Sequence, residues 1–331
     1  MGMTYAYVGN ATIGAFVDSR LSAAGFSRVR DVASAEVVLT YCTTGADLED
    51  TYFEQDGIIK LADKGTLLVD LSPAYPGFAR ELSAIATVSD LRAVEAPLYV
   101  LDYTASDFFA GSDVFGCYLA GEDADVEQAR PLVEAIASQV TVVDGCGGAQ
   151  LAKAVHTIQA ACTFVSAVES EALCRVVREV SNSVDGPTLD PEAQNQAIAD
   201  AFRAIAEERF DGDYSVEMML GDVLAAMTAA DDVDLILPQL ESVMHLLEVL
   251  FVIGGDDRSP AALALLYRAE EESARHGLDW SRAEAMYASF DHDHEHDHDH
   301  GDDDYYDDDY YEDDYDDLGG YAGGFGGYSA N

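Results

Sequence analysis

The sequence predicts an α/β fold, in which a parallel sheet covered by helices on both faces is followed by a second, all-helical domain. Short apolar runs alternate with amphipathic segments as far as about residue 147, which is typical of buried parallel strands and their crossover helices. From residue 148 onward the apolar residues recur at helical spacing instead. Residues 291–331 show no apolar periodicity and consist mainly of Asp, His, Tyr and Gly, which predicts a disordered tail.

The strands of the first domain are short, and turn residues separate them from the helices. The predicted strands are 5–8, 36–40, 65–71, 94–97, 115–120 and 140–143, with room for one short strand at 26–30. The predicted helices between them are 12–24, 48–62, 78–86 and 123–138. Gly25 follows the first helix and is a typical C-terminal stop.

The second domain is predicted to begin with one long interdomain helix, from residue 148 to about residue 180. Leu151, Val155, Ile158 and Cys162 form one apolar stripe along it. After a turn-rich break at 181–190, the predicted helices are 191–208, 215–230, 235–253, 259–275 and a short one at 281–289. These patterns predict a sheet domain at 1–147, a helical domain at 148–290 and a tail at 291–331.

The chain is strongly acidic, with a formal net charge of −46. Residues 291–331 hold sixteen of the carboxylates and no Lys or Arg, so removing them still leaves −30. Such a charge argues against binding nucleic acids and against anionic membrane surfaces. The five cysteines show no paired spacing, and the N-terminal residues lack a basic, apolar signal pattern. We therefore expect a cytoplasmic protein.

A glycine-containing turn lies between the first strand and the first helix. The segment Gly9-Asn10-Ala11-Thr12-Ile13-Gly14 has the spacing of the dinucleotide fingerprint of Rossmann-type domains, with Ala11 at the second glycine. Its first glycine permits the tight turn, its last permits close packing of helix on strand, and the helix N-terminus can receive a pyrophosphate. A plain strand–turn–helix that needs two glycines is the structural alternative.

The unit that follows this turn is shortened. Only eleven residues, 26–36, separate the first helix from the next long strand, which leaves no room for a second crossover helix and its ribose-binding acid. Arg28, Arg30 or Asp31 could contact the ribose or its 2′-phosphate instead, and the sequence leaves that choice open.

The order of these segments resembles the β-hydroxyacid dehydrogenase family, which includes 3-hydroxyisobutyrate and 6-phosphogluconate dehydrogenases and has imine reductases as relatives. The resemblance covers about residues 5–270. Its segments are the fingerprint, the strand and Asp-x-Ser of 65–73, Glu95-Ala96-Pro97, the runs 119–123 and 129–132, and the glycine turn before Lys153. The resemblance implies an oxidoreductase that uses NADP or NAD to transfer hydride to or from a small hydroxyacid, carbonyl or imine.

Lys153 is the predicted acid/base. It is one of three lysines in the chain, and fifteen residues without a formal charge follow it. It falls where the family's catalytic lysine falls, and an ammonium in a cleft can donate a hydrogen bond and a proton to a carbonyl. The alternative is a lysine near a helix N-terminus that extends into water.

The chain departs from the family pattern around Lys153. His156 and Thr157 replace two asparagines of the same helix face, and we predict them as catalytic partners. Tyr99 begins Tyr-Val-Leu where the family has Ser-Gly-Gly, and Asp222 follows a glycine where a lysine is expected; both are predicted substrate contacts. These departures favour a bulkier or less charged substrate. The predicted cofactor-binding residues are Gly9, Asn10, Ala11, Thr12, Ile13, Gly14, Tyr41, Cys42, Thr43 and Ser72.

The tail alternates histidines with carboxylates, so Zn²⁺, Ni²⁺ or Cu²⁺ could bind there loosely. The histidines concerned are His292, His294, His296, His298 and His300. A solvated, solubilising polyanion is the alternative.

Two functional hypotheses follow. The first is the NAD(P)-dependent oxidoreductase. The second is a catalytically inactive binding or scaffold protein that keeps the fold and uses its acidic tail. The apolar surface of the second domain also predicts a homodimer.

Overall fold

The computed structural model describes residues 3–105, 109, 111, 114–180 and 196–286. A five-stranded, wholly parallel sheet has the order β2-β1-β3-β4-β5. Its strands are β1 (Thr4–Gly9), β2 (Ser27–Arg28), β3 (Val37–Tyr41), β4 (Leu67–Asp70) and β5 (Arg92–Glu95). The predicted parallel sheet is thus confirmed. The two-residue β2 lies in the short segment 26–36 that follows the first helix.

Helices cover this sheet, and one of them differs from its prediction. They are α1 (Ala11–Ala23), α2 (Gly45–Phe53), α3 (Ile58–Leu61), α4 (Pro76–Val88) and α5 (Asp123–Ile136), with a 3₁₀ turn at Val32–Ser34. The single helix predicted at 48–62 is divided into α2 and α3. Glu54 and Gly57 are both extended, with ψ of 172° and 164°, so the helical hydrogen bonds stop between them.

A second, three-stranded sheet was not anticipated. It consists of β6 (Leu98–Val100), β7 (Phe115–Leu119) and β8 (Gln139–Val142). Strands β7 and β8 are parallel, whereas β6 and β7 are antiparallel. No strand was predicted directly after Pro97, and the strands predicted at 115–120 and 140–143 were expected in the parallel sheet. Strand β6 has only three residues, and its partner lies far along the chain.

The helical half is organised around α6 (Gly148–Val180), which packs against α7 (Gln196–Ala206), α8 (Val216–Asp231) and α9 (Pro238–Leu250). By length and composition α6 is the one helix in the described part of the chain that could cross a membrane. Core helices meet the same criterion, and Phe164 and Val168 of α6 are buried in an apolar core that extends into the sheet.

The last helices differ from the predicted pattern. The helix expected at 235–253 ends as a π turn, Phe251–Gly255. The helix expected at 259–275 is a 3₁₀ helix, Pro260–Tyr267, followed by α10 (Glu270–Arg275). Arg268 is extended between them, which places its guanidinium 5.1 Å from the centre of the Phe210 ring and 2.7 Å from Glu272. The final described helix, α11, covers 281–286.

Candidate active site

The N-terminus of α6 is attached to the carboxyl edge of the sheet by hydrogen bonds. Glu95, the last residue of β5, accepts hydrogen bonds from the amides of Gly147 and Gln150, the latter at 3.2 Å. The Gln150 side chain donates to the Ser72 carbonyl at 3.1 Å and accepts from the Ala74 amide at 3.0 Å. A carboxylate at a helix N-terminus is favourable electrostatically. These bonds fix the start of α6, and hence Lys153, relative to the sheet.

Lys153 lies in the interior and forms an ion pair with Asp222 of α8. Its Nζ is 2.8 Å from Asp222 Oδ2, and the two side chains are 4% and 3% exposed. The Tyr214 hydroxyl, just before α8, donates to the same carboxylate oxygen at 2.9 Å. Removing two charges from water is costly unless they are paired and hydrogen-bonded, which these are. Lys153 is therefore not a lysine that extends into solvent.

Asp222 retains one unused oxygen. Within the described residues, its Oδ1 is buried and has no hydrogen-bond partner. Tyr41, at the end of β3, and Tyr103 lie close enough for the Asp222 charge to add to burial in raising their pKa values. Burial, followed by the Asp222 charge, also raises the pKa of Tyr214. The three phenols are therefore neutral at physiological pH and surround the charged pair.

His156 and Tyr99 meet one turn beyond Lys153 on α6. Their ring centres are 4.3 Å apart, and His156 Nε2 lies 3.4 Å from the Val100 carbonyl oxygen. Burial, and then the charge of Lys153, lowers the pKa of His156, so its imidazole is neutral near pH 7. Thr157, beside it in the sequence, is 1% exposed. The structure thus brings the three predicted catalytic residues and Tyr99 to one region.

The fingerprint turn adjoins this region through β3. Gly9 pairs with Tyr41 and has a φ of +118°, and a Cβ there would lie 2.1 Å from the Tyr41 carbonyl oxygen. The Asn10 amide donates to the same oxygen at 2.7 Å. The Asn10 side chain accepts from the amides of Thr12 and Ile13, at 3.0 and 3.1 Å. The amides that could hold a pyrophosphate are therefore capped by the chain itself.

The rest of the fingerprint has ordinary packing roles. Gly14 lies against the Tyr7 ring, where a Cβ would come within 2.6 Å of a ring carbon. Ala11 and Thr12 line an open cavity of about 540 Å³ together with Phe109. Space beside the first turn of α1 is therefore present, and the methyl of Ala11 does not close it.

The loop after β3 packs against α8. The Cys42 amide donates to Ser72 Oγ at 3.0 Å, and the Ser72 amide donates to Asp70 Oδ1 at 3.1 Å. Burial raises the pKa of the Cys42 thiol to about 11 and that of Asp70 to about 7. Next to Cys42, the Thr43 carbonyl oxygen would lie 2.2 Å from a Cβ at Gly221. A lysine at position 221 is thus excluded by the close approach of this loop.

Comparisons with known proteins agree with this architecture. Residues 8–145 match the NAD-binding domain of 6-phosphogluconate dehydrogenase. The chain is 28% identical to an NAD-dependent L-serine dehydrogenase of Pseudomonas aeruginosa over 222 residues, which cover 63% of this chain and 72% of that protein. It is 23% identical to 2-hydroxy-3-oxopropionate reductase of Escherichia coli over 284 residues, covering 81% and 90%.

Among solved structures, the fold is similar to that of 3-hydroxyisobutyrate dehydrogenase of Mycobacterium tuberculosis with L-serine. The TM-score is 0.63 at 20% identity, and the match covers 81% of this chain and all of that one. A structure described as Psf3 in complex with NADP⁺ and 2-OPP gives a TM-score of 0.64 at 17% identity, covering 80% of this chain and 100% of that one.

These matches support a divergent member of the β-hydroxyacid dehydrogenase family. They likewise support an oxidoreductase with an NAD(P)-binding sheet domain, as predicted. The comparisons do not favour the inactive scaffold that was the alternative.

The site contains two tyrosines that sequence reasoning missed, Tyr103 and Tyr214. Tyr214 lies eight residues before Asp222, and the centres of the Tyr103 and Tyr214 rings are 5.5 Å apart. Their one sequence signal was that the chain holds 18 tyrosines, which does not single out any of them. The predicted tail histidines lie outside the described residues. Among the residues that are described, no group of three or more His, Cys, Asp and Glu could hold a metal ion.

Proposed function

We propose that the protein is an NAD(P)-dependent dehydrogenase or reductase in which Lys153 donates a proton to, or accepts one from, the reacting oxygen or nitrogen of a small substrate. The observation that supports this most strongly is the buried Lys153–Asp222 pair beside Tyr41, at the carboxyl edge of the sheet. Ligands of α/β sheets bind at this edge. The pair therefore lies where a cofactor and an acid/base would have to meet.

Each residue of the proposed site has a separate task. Lys153 moves the proton, and Asp222 compensates its charge in the interior and holds its Nζ in place. Tyr214 positions Asp222 through the 2.9 Å hydrogen bond. His156, neutral and in contact with Tyr99, would form part of the substrate wall together with Thr157. When bound, the nicotinamide cofactor supplies or accepts the hydride.

The residues present fit a dinucleotide. Gly9 makes the turn that no side chain could make, and α1 offers an N-terminus to the pyrophosphate, provided that the Asn10 side chain releases it. Beyond the turn we propose that Tyr41, Cys42, Thr43 and Ser72 line the nicotinamide side. Their place at the ends of adjacent strands β3 and β4 supports this assignment.

Cofactor preference is proposed to depend on Arg30. Arg28 is paired with Asp18, and Asp31 caps the 3₁₀ turn by accepting from Ala33 at 3.1 Å. Arg30 is exposed and forms no ion pair among the described residues. An arginine in this region can hold the 2′-phosphate of NADP. We expect Arg30→Ala to weaken NADPH binding about tenfold or more and to leave NADH binding unchanged, whereas an equal effect on both would refute the assignment.

The proposed function is tested first by titrating the full chain with NADPH and NADH and following cofactor fluorescence and thermal shift. Binding is expected, and the absence of any response at millimolar cofactor would refute the proposal. Lys153→Met should then retain cofactor binding but lose turnover about 10²-fold or more. Lys64→Met is the matched control, because Lys64 is exposed and forms a surface pair with Asp90, and the activity of this variant should equal that of the wild type.

A homodimer through the helical half also remains a proposal. Leu151, Val155 and Leu173 of α6 are 55%, 48% and 65% exposed, so part of its apolar surface is uncovered in the monomer. Light scattering on the full chain would show a dimer, and a monomer at micromolar concentration would contradict the proposal.

A further inference from the structure

The charged pair leaves a hydrogen-bond acceptor open where a substrate would lie. Asp222 Oδ1 is buried without a partner among the described residues, although Oδ2 of the same carboxylate has two. Buried polar atoms are nearly always hydrogen-bonded, so an unpaired one beside a proposed acid/base indicates that a bound molecule completes it. A carboxylate oxygen can only accept, so the missing partner has to be a donor.

Within the described residues, the charge of Lys153 is already compensated. The Lys153 ammonium is neutralised by Asp222 at 2.8 Å. Position 221 has no room for a second cation, because a Cβ there would lie 2.2 Å from the Thr43 carbonyl oxygen. The surrounding phenols of Tyr41 and Tyr214 are neutral. A substrate carboxylate placed here would meet the open oxygen of Asp222 and be repelled by it.

Three backbone amides of the hairpin are already used. The Leu98 amide donates to the Leu71 carbonyl at 3.1 Å, and the Leu101 amide donates to the Val114 carbonyl at 3.0 Å. Tyr99, between them, is paired with Gly116 of β7 in the antiparallel ladder. None of these three amides is available to a substrate carboxylate.

The hairpin contributes a packed aromatic cluster instead, in which Tyr99 is 6% exposed. The Tyr99 ring is stacked on Tyr118 at 4.8 Å and contacts His156 at 4.3 Å. It lies across Gly116, where a Cβ would come within 2.1 Å of the ring, so the glycine opposite makes this position of the ring possible. The cluster makes this side of the proposed site apolar.

We propose that the substrate is an uncharged carbonyl compound, or the corresponding alcohol, that carries no carboxylate and offers a hydroxyl or N–H donor to Asp222 Oδ1. Its apolar part packs against Tyr99 and His156. This inference rests on the proposed function and specifies the substrate class of that same site. It differs from the expectation for a small hydroxyacid, because recognition comes from a hydrogen-bond acceptor and not from a cation.

Three aromatic ketones of similar size test it: 2-hydroxyacetophenone, acetophenone and phenylglyoxylate. They share a phenyl ketone and differ in carrying a hydroxyl donor, no donor, or a carboxylate. Their binding to the full chain saturated with NADP⁺, in which the ketone cannot be reduced, is measured by calorimetry. We expect 2-hydroxyacetophenone to bind about tenfold more tightly than acetophenone, and phenylglyoxylate to bind most weakly. With NADPH in place of NADP⁺, the order of turnover should be the same.

The variant Asp222→Asn provides a second readout. It removes the negative charge and leaves Lys153 free to attract an anion, so the preference for 2-hydroxyacetophenone over phenylglyoxylate should fall about tenfold or more. In the wild type, phenylglyoxylate binding as tightly as 2-hydroxyacetophenone would overturn the inference. So would a cofactor complex that binds none of the three ketones. A chain that binds no cofactor refutes the proposed function itself, and this outcome is separately visible in the cofactor titration.

Discussion

Replacing Lys153 by methionine should destabilise the protein far more than an ordinary lysine substitution. The Nζ lies 2.8 Å from Asp222 Oδ2, and both side chains are at most 4% exposed. Methionine fills a similar volume but leaves the buried carboxylate without its counter-charge. Breaking a buried pair in this way costs about 3–5 kcal/mol. The Tyr214 hydroxyl still donates to Asp222, so we expect a loss near the lower end, about 3 kcal/mol.

The double variant Lys153→Met/Asp222→Asn separates the ion pair from the packing. It removes both charges and keeps the volumes, so it should recover about 2 kcal/mol relative to the single lysine variant. Free energies of unfolding are measured by urea denaturation with circular dichroism, and a constant m-value is required for the comparison.

The control is Lys64→Met. Lys64 is 81% exposed and paired with Asp90 at the surface, so its loss should be close to zero. If Lys153→Met unfolds at the same urea concentration as Lys64→Met, Lys153 does not form a buried pair in solution, and the site proposed around it is refuted.

Three further substitutions test separate features. Asn10→Ala removes the cap of α1, so the apo protein should lose about 1 kcal/mol of stability. Because the freed amides are then open to the pyrophosphate, NADPH should bind up to about fivefold more tightly. Weaker NADPH binding would instead make Asn10 a cofactor ligand. Burial raises the pKa of Asp70 to about 7, so the stability of the wild type should fall as pH rises from about 4 to about 7. Asp70→Asn lacks this titration, so its melting temperature should rise relative to that of the wild type over the same pH range. A constant difference in melting temperature from pH 4 to pH 8 would refute this. Gly221→Ala should lose about 1–3 kcal/mol by forcing Thr43 away, whereas Gly45→Ala, in open space at the start of a helix, should be neutral or stabilising in the same urea assay.

The sheet half was largely predictable because its signals are local. The continuous apolar run of β3, the turn at Gly9 and the helix that starts near Gly148 each follow from neighbouring residues. Lys153 could also be singled out as a candidate, because a single lysine precedes a long uncharged stretch. Segments whose conformation depends on distant partners were not predictable. Strand β6 forms by the pairing of Tyr99 with Gly116, seventeen positions away, and the residues around Tyr99 do not predict that pairing.

The composition of the site was predictable only in part, for the same reason. Asp222 was recognised as a candidate, but the residue that holds it, Tyr214, precedes α8 and shares no motif with it. The division of the helix predicted at 48–62 had a local signal in Gly57, which was outweighed by the apolar spacing around it. The helix predicted at 259–275 is interrupted at Arg268, which is extended, and its contact with the Phe210 ring is tertiary, so neighbouring residues do not signal it.

The departures around Lys153 are better explained as one linked change than as separate losses. The glycine at position 221 lets α8 approach the Thr43 carbonyl, and the same approach brings Asp222 beside Tyr41. A cation at 221 would hold the helix away from the loop and leave the carboxylate of Asp222 farther from the sheet. The glycine at 221 therefore permits a close contact between α8 and the loop after β3. Asp222 Oδ1 stays open in this arrangement, because Lys153 and Tyr214 both contact Oδ2.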